Sequence, residues 1–129
     1  MTCTATADFA TVELAHLEMS TQAQLDDLDF GVIGFDAEGL VRCYNIFESK
    51  AAGLSRERVV GEPLFTVVAP CMNNFLVAQR FDDAVESDSV LDETIGYVLT
   101  LRMRPVKVRL RLLSSPGMTL RYVLVQRTV

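Results

Sequence analysis

The alternation of apolar and polar residues in the last third of the chain is the feature that most limits its fold. Apolar or aromatic side chains fill every second position over residues 95–103, and a second alternating run, with basic residues between, covers 106–112. A further β-rich run, 120–125, follows a Ser-Ser-Pro-Gly turn. Because side chains with a period of two point to alternate faces of a sheet, this third is predicted as three strands.

Two more strands are predicted before the middle of the chain. Residues 30–35 and 40–44 are short apolar runs, and the Asp-Ala-Glu-Gly sequence between them is typical of a hairpin turn. Residues 45–70 show only short helical turns, one capped by Ser55 and another beginning at Pro63. The pattern predicts a hairpin followed by an irregular segment.

One better helix is predicted to open at Asn73 or Asn74, because Val77, Phe81, Ala84 and Val85 share one face at helical spacing. The order is then two strands, a helical middle and three strands. Packed as one domain, it gives an α/β (α+β) fold, a five-stranded antiparallel sheet with these helices on one face. That is the layout of a PAS domain, a fold of ligand-holding sensors.

The segment before the hairpin is predicted as an N-terminal helical cap. Residues 8–28 read as two short helices broken near Ser20 and Thr21, which can cap the second. Their apolar side chains, Phe9, Val12, Leu17 and Met19, are too few for an independent core. We therefore divide the chain into a cap, 1–28, and a sensor core, 29–129, within one domain.

Composition excludes several classes of function. The 129 residues suit one domain, and the net charge of −5 argues against nucleic-acid binding. No apolar run is long enough to span a membrane, and no basic segment precedes an apolar stretch at the N-terminus. The three cysteines, Cys3, Cys43 and Cys71, are odd in number and widely spaced, which fits neither a disulfide framework nor a zinc site. We expect a cytoplasmic protein.

A basic cluster stands out against the acidic composition. It consists of Arg102, Arg104, Lys107, Arg109 and Arg111. Because these residues alternate with apolar ones, we interpret them as the solvated face of a sheet. A docking surface for an acidic partner is the less favoured reading.

Cys71 is a candidate reactive residue. It follows Val-Ala-Pro just before the predicted helix, and the amides of a helix N-terminus favour a thiolate. The alternative is a small buried hydrophobic side chain. The one histidine, His16, lies in the cap, so a base for a cysteine nucleophile is missing, as are a phosphate loop and a metal cluster. We therefore do not expect an enzyme.

Tyr44 and Glu48 form a second candidate group. Four residues apart, their side chains share a face if the chain turns helical there. In an apolar pocket the glutamic acid would stay protonated and donate a hydrogen bond. The alternative is a solvated loop glutamate beside a tyrosine that packs its ring.

From about residue 25 to its end the chain resembles the photoactive yellow protein family, bacterial blue-light receptors of PAS fold. The tyrosine, the glutamate and the Pro-Cys pair, in this order and separation, are its most specific motifs. Other shared residues are Phe30, Gly31, Asp36 to Gly39, Asn45, Gly53, Val60, Gly61, Val68, Ala69, Phe81, Tyr97, Met103, Pro105, Lys107 and Val108.

The resemblance implies a p-coumaric acid (4-hydroxycinnamic acid) chromophore, bound as a thioester to Cys71. Tyr44 and Glu48 would hold its phenolic oxygen. Light would isomerise it from trans to cis, and Glu48 would then pass its proton to the phenolate. A bare buried carboxylate is costly, and that cost would drive partial unfolding, with the N-terminal segment detaching. Further positions that match chromophore contacts are Ile33, Ala52, Leu54, Leu64, Val68, Ala69, Tyr97, Leu99 and Met103.

The chain departs from the family pattern at several of these positions. Ala52 replaces a threonine that bonds the tyrosine, and Leu54 replaces an arginine over the phenolate end. Leu99 and Leu101 replace aromatics. With a donor and a positive charge missing, we expect a higher phenolic pKa than in relatives with Thr and Arg.

Two other functions stay open at this point. The chain could be an unpigmented PAS interaction module in which Cys71 is a structural relic, or an enzyme or thiol redox sensor that uses Cys71. As a light sensor it would need a downstream signalling protein that the sequence does not identify. Weak dimerisation is a further option, and neither nucleic acid nor membrane is expected as a partner.

Overall fold

The structure is a computed structural model that describes residues 9–99 and 105–127. Two short helices, α1 (Leu14–Met19) and α2 (Gln22–Asp26), precede the hairpin of β1 (Gly31–Phe35) and β2 (Val41–Tyr44). The middle holds α3 (Ile46–Ala52), α4 (Arg56–Val59), a π-helical turn (Leu64–Val68), a 3-10 turn (Pro70–Met72) and α5 (Ala78–Glu86). The chain then forms β3 (Leu91–Leu99), β4 (Val106–Ser114) and β5 (Arg121–Arg127).

The five strands form one sheet in the order β2-β1-β5-β4-β3, and every neighbouring pair is antiparallel. Ile33 on β1 lies opposite Tyr44 on β2 and Val123 on β5, so the N-terminal hairpin and the last strand share one register. Asp36 closes the hairpin, because its side chain accepts from the backbone N–H groups of Glu38 and Leu40. The predicted five-stranded antiparallel sheet is confirmed.

The helical middle covers one face of the sheet. Ile33, Phe35 and Val123 point into this core, where Phe35 meets Phe81 of α5 edge to face at 4.9 Å. Leu64 and Met72 from the two irregular turns complete it. This is the core against which Cys71 and Tyr97 pack.

The N-terminal cap covers the opposite face. Phe9, Leu17 and Leu25 pack with Val32 and Leu124, whose side chains point away from the first core. Thr21 begins α2 with reciprocal hydrogen bonds to Gln24, which confirms the predicted break near Ser20 and Thr21. The cap is thus a second layer on the sheet.

The basic cluster is only partly the solvated face that we expected. Lys107 and Arg109 are exposed, but Arg111 is 5 % exposed, so the solvated interpretation is wrong for this residue. Arg111 donates to both oxygens of Asp92 and to the carbonyl of Phe9. Arg111 is buried because the cap covers the sheet at this position. Arg102 and Arg104 lie outside the described residues.

Several predicted boundaries and faces are wrong. β3 begins at Leu91, four residues before the predicted start. The helix α5 begins at Ala78 and not at Asn73 or Asn74, because the Asn74 side chain caps a turn by accepting from the backbone N–H groups of Leu76 and Val77. Val85 is 53 % exposed and lies outside the core to which its helical spacing assigned it, and Met19, counted among the apolar side chains of the cap, is 84 % exposed. Among the described residues, no helix is long and apolar enough to cross a membrane.

Candidate functional site

Asn45 positions the helix that carries Glu48. Its side-chain oxygen accepts from the N–H of Glu48 at 3.1 Å, which caps α3, and from the N–H of Val32 at 3.0 Å. Its amide nitrogen donates to the carbonyls of Leu25 and Phe30, both at 2.9 Å. Asn45 is fully buried, so this one side chain ties the cap, β1 and α3 together.

Glu48 is buried against the sheet, with 2 % of its surface exposed. Both carboxylate oxygens accept from Arg127 at the end of β5, at 2.7 and 3.0 Å. Burial raises the pKa of Glu48 above its usual value, and the Arg127 hydrogen bonds and charge oppose that rise. Burial thus favours the neutral carboxyl and Arg127 favours the ionised one, and the interpretation as a solvated loop glutamate is wrong.

Tyr44 lies beside this pair at the end of β2. Its side chain is buried in the core of the helical face. Burial raises the pKa of the phenol above its usual value, the Glu48 charge adds to the rise, and the Arg127 charge opposes it. Tyr44 is thus a neutral hydroxyl in an apolar environment, electrostatically coupled to both neighbours.

Cys71 sits in the 3-10 turn (Pro70–Met72), half-buried against the same core. The Tyr97 hydroxyl donates to the Cys71 carbonyl, and Asn74 donates to the Tyr97 oxygen at 2.6 Å. The expectation that Cys71 lies just before the start of a helix is wrong, because α5 begins only at Ala78. The 3-10 turn and Tyr97 instead fix the backbone of Cys71.

All but one of the other predicted contact positions that the structure describes lie in the same core or pack against it. Tyr97 and Leu54 pack against it, and the remaining side chains are buried: Ile33, Ala52, Leu64, Val68, Ala69 and Leu99. Met103 lies outside the described residues. Apart from Ala52, all of these belong to the core that contains Tyr44 and borders Cys71.

Cys43 differs from Cys71 in its surroundings. It is buried under the cap, on the other face of the sheet from Tyr44. Burial raises the pKa of its thiol to about 11. Because the thiolate is the nucleophile, burial lowers the reactivity of the Cys43 thiol.

Arg127 and Asn45 are site residues that we did not assign from the sequence, and so is Gly31, over which the Glu48 carboxyl lies. An Asn between a strand and a helical turn is a recognisable capping signal, so Asn45 could have been found. Arg127 lies 79 positions from Glu48 in the sequence, so no local pattern could have predicted their contact. We expected a positive charge to be missing because position 54 is Leu; Arg127 supplies one to Glu48 from the end of β5.

Comparison with known proteins places this site in a family, although no family model matches the chain. Photoactive yellow proteins from Rhodothalassium salexigens and Halochromatium salexigens are each 34% identical over 101 residues, 78% of this chain and 79% of theirs. The chain belongs to the photoactive yellow protein family. It is accordingly a photoreceptor of the photoactive yellow protein type.

Solved structures agree with this family. The photoactive yellow protein domain of the sensor histidine kinase Ppr from Rhodospirillum centenum matches with a TM-score of 0.80 at 33% identity. The match covers 88% of this chain and 98% of that domain. A PAS domain from Colwellia psychrerythraea matches with a TM-score of 0.62 at 14% identity over 82% of this chain and 92% of that one, and shows the fold alone. The predicted PAS fold is confirmed.

Proposed function

We propose that this chain is a non-enzymatic blue-light receptor that carries p-coumaric acid as a thioester on Cys71. The observation that carries the proposal is Glu48, a carboxyl buried beside Tyr44 in a member of this family. A buried acid with a raised pKa is suited to hold a proton and release it when its surroundings change.

The residues present fit such a group. A thioester needs an accessible thiol, and Cys71 is half-buried, whereas Cys43 lies under the cap. A phenol needs an apolar environment with neutral donors at one end. Tyr44 and Glu48 provide the donors, and the core that contains Tyr44 also borders Cys71. When bound, the group would supply a double bond that isomerises in light and a phenol that exchanges a proton.

Each protein residue has a distinct task in this proposal. Cys71 fixes one end of the group, and Tyr97 and Asn74 hold the Cys71 carbonyl in place. Tyr44 donates a hydrogen bond to the phenolic oxygen. Glu48 donates a second one in the dark and gives up its proton from the carboxyl oxygen after light, for which its pKa must be above the ordinary value.

Reconstitution tests the attachment. The apoprotein is treated with an activated p-coumaroyl donor, and its intact mass and visible spectrum are recorded. We expect one coumaroyl addition and a yellow product for the wild type and for Cys43→Ser, and no addition for Cys71→Ser. An adduct on Cys71→Ser would contradict the assignment of the thiol. A wild type that takes up no group would favour an unpigmented interaction module.

A further inference from the structure

Arg127 and Glu48 form an ion pair inside the proposed site. Each of the two terminal NH₂ groups of the guanidinium donates to one carboxylate oxygen, at 2.7 and 3.0 Å. The side chain of Arg127 is 18% exposed and that of Glu48 3%. A two-point, charge-assisted contact with so little solvent is among the stronger polar interactions in proteins.

The charge of Arg127 acts on a second group of the site besides Glu48. That group is the Tyr44 hydroxyl, which in the proposed function contacts the phenolic oxygen. Gly31 lies under the Glu48 carboxyl without a side chain between them. In the described part of the chain, Arg127 is the cation that contacts Glu48.

We propose that Arg127 is the counter-ion of the site, compensating one negative charge that a proton transfer moves between two oxygens. This inference rests on the proposed function. When the proton leaves the Glu48 oxygen for the phenolate oxygen, one O–H bond breaks and one forms. The negative charge then lies on Glu48 instead of the phenolate, and Arg127 stays protonated. The site is neutral as a whole before and after the transfer.

Two consequences separate this site from the one expected from the sequence. Arg127 takes over the compensating charge that Leu54 cannot supply. It also turns the buried carboxylate formed after light into half of an ion pair, rather than a bare charge. Because a bare charge is what would drive unfolding, Arg127 limits the structural change that light produces.

The first test uses the full-length apoprotein and needs no chromophore. The Glu48 carboxyl carbon is titrated by NMR in the wild type, Arg127→Gln, Arg127→Lys and Arg121→Gln. Arg121 begins the same strand and bonds the Asp36 carbonyl, so it controls for the loss of a charge. We expect Arg127→Gln to raise the Glu48 pKa by about one unit or more, since it removes a charge-assisted contact.

Arg127→Lys keeps the charge without the two-point contact and should give a smaller rise, whereas Arg121→Gln should match the wild type. If Arg127→Gln does not fold, the lysine variant decides the question. A Glu48 titration that is the same in the wild type and the Arg127 variants would overturn the proposal.

The second test uses the reconstituted protein. Light-minus-dark infrared spectra report the loss of the protonated Glu48 band. We expect the yield of the carboxylate state to fall severalfold in Arg127→Gln, because Arg127 bonds Glu48 directly but acts on the phenolic oxygen only through its charge. An unchanged yield would overturn the counter-ion role. If the wild type takes up no chromophore, the proposed function is wrong. The apoprotein titration still tests the Arg127–Glu48 pair in that case, because it needs no chromophore.

Discussion

The Glu48 carboxyl occupies the space above Gly31 that a side chain would fill. A Cβ atom at Gly31 would lie 3.0 Å from Cδ of Glu48 and would overlap its Oε1 oxygen. Glu48 can therefore be buried on the sheet only because β1 has no side chain at this position. The pairing of Glu48 with Arg127 depends on the same space.

Gly31→Ala is expected to displace the Glu48 carboxyl and weaken its contact with Arg127. We predict a loss of about 1–3 kcal/mol in the free energy of unfolding, as for other overpacked cores, together with a changed Glu48 titration. Urea denaturation and NMR titration of Glu48 measure the two effects. Gly34→Ala is the control, because its Cβ would meet Cys43 and Tyr122 at 2.9 Å on the other face. The control should destabilise the fold without moving the Glu48 pKa; an equal shift in both variants would contradict the role of Gly31.

The raised pKa of Glu48 predicts a pH dependence of stability. A carboxyl whose pKa is higher in the folded state stabilises the fold fully below its unfolded value, 4.5. That contribution is lost as pH rises through the folded pKa. The unfolding free energy of the wild type minus that of Glu48→Gln should therefore fall with rising pH, by at most about 1.4 kcal/mol per pH unit. Urea denaturation from pH 4 to 8 measures this difference. A difference that stays constant or grows would refute a raised pKa.

Ala52 and Leu54 should modulate the phenolic pKa of the bound chromophore. A threonine at 52 restores a hydrogen-bonding neighbour for Tyr44, worth about 1 kcal/mol or somewhat under one pKa unit. An arginine at 54 adds a positive charge to the one that Arg127 carries. We predict a lower midpoint of the visible pH titration in Ala52→Thr, in Leu54→Arg and most of all in the double variant. An unchanged or higher midpoint in the double variant would end this explanation.

Arg111 is expected to hold the cap on the sheet. Replacing it with Gln removes the contacts to Asp92 and to the Phe9 carbonyl, and should cost about 1–3 kcal/mol of stability. Faster amide hydrogen exchange over residues 9–28 would show that the loss is local to the cap. Arg109→Gln is the control, and a smaller effect is expected from it. Arg109 is exposed, and its guanidinium lies over the Phe9 ring at 6.0 Å. Equal protection in wild type and Arg111→Gln would show that this residue does not retain the cap.

Patterns in the sequence correctly predicted the strands, turns and helix breaks that depend on interactions between residues close in the chain. The period-two runs gave the C-terminal strands, and the turn residues gave the hairpin, because the direction of a side chain along a strand depends only on its neighbours. The break near Ser20 and Thr21 was predictable for the same reason, since a cap bonds within three residues. The prediction failed at Val85, which has the helical spacing of a core residue but is exposed because no other described element packs against it.

The sequence by itself determined the strand pattern, the helical breaks and the three residues, Tyr44, Glu48 and Cys71, on which the family resemblance depends. Only the tertiary structure decided which charges are buried and with whom. Arg127 bonds Glu48, which lies 79 positions away in the sequence, and Arg111 bonds the carbonyl of Phe9 in the cap, 102 positions away. The energy of an ionised side chain depends on the solvent and the charges around it in space. Tertiary folding sets those surroundings, and no periodic pattern in the sequence indicates them.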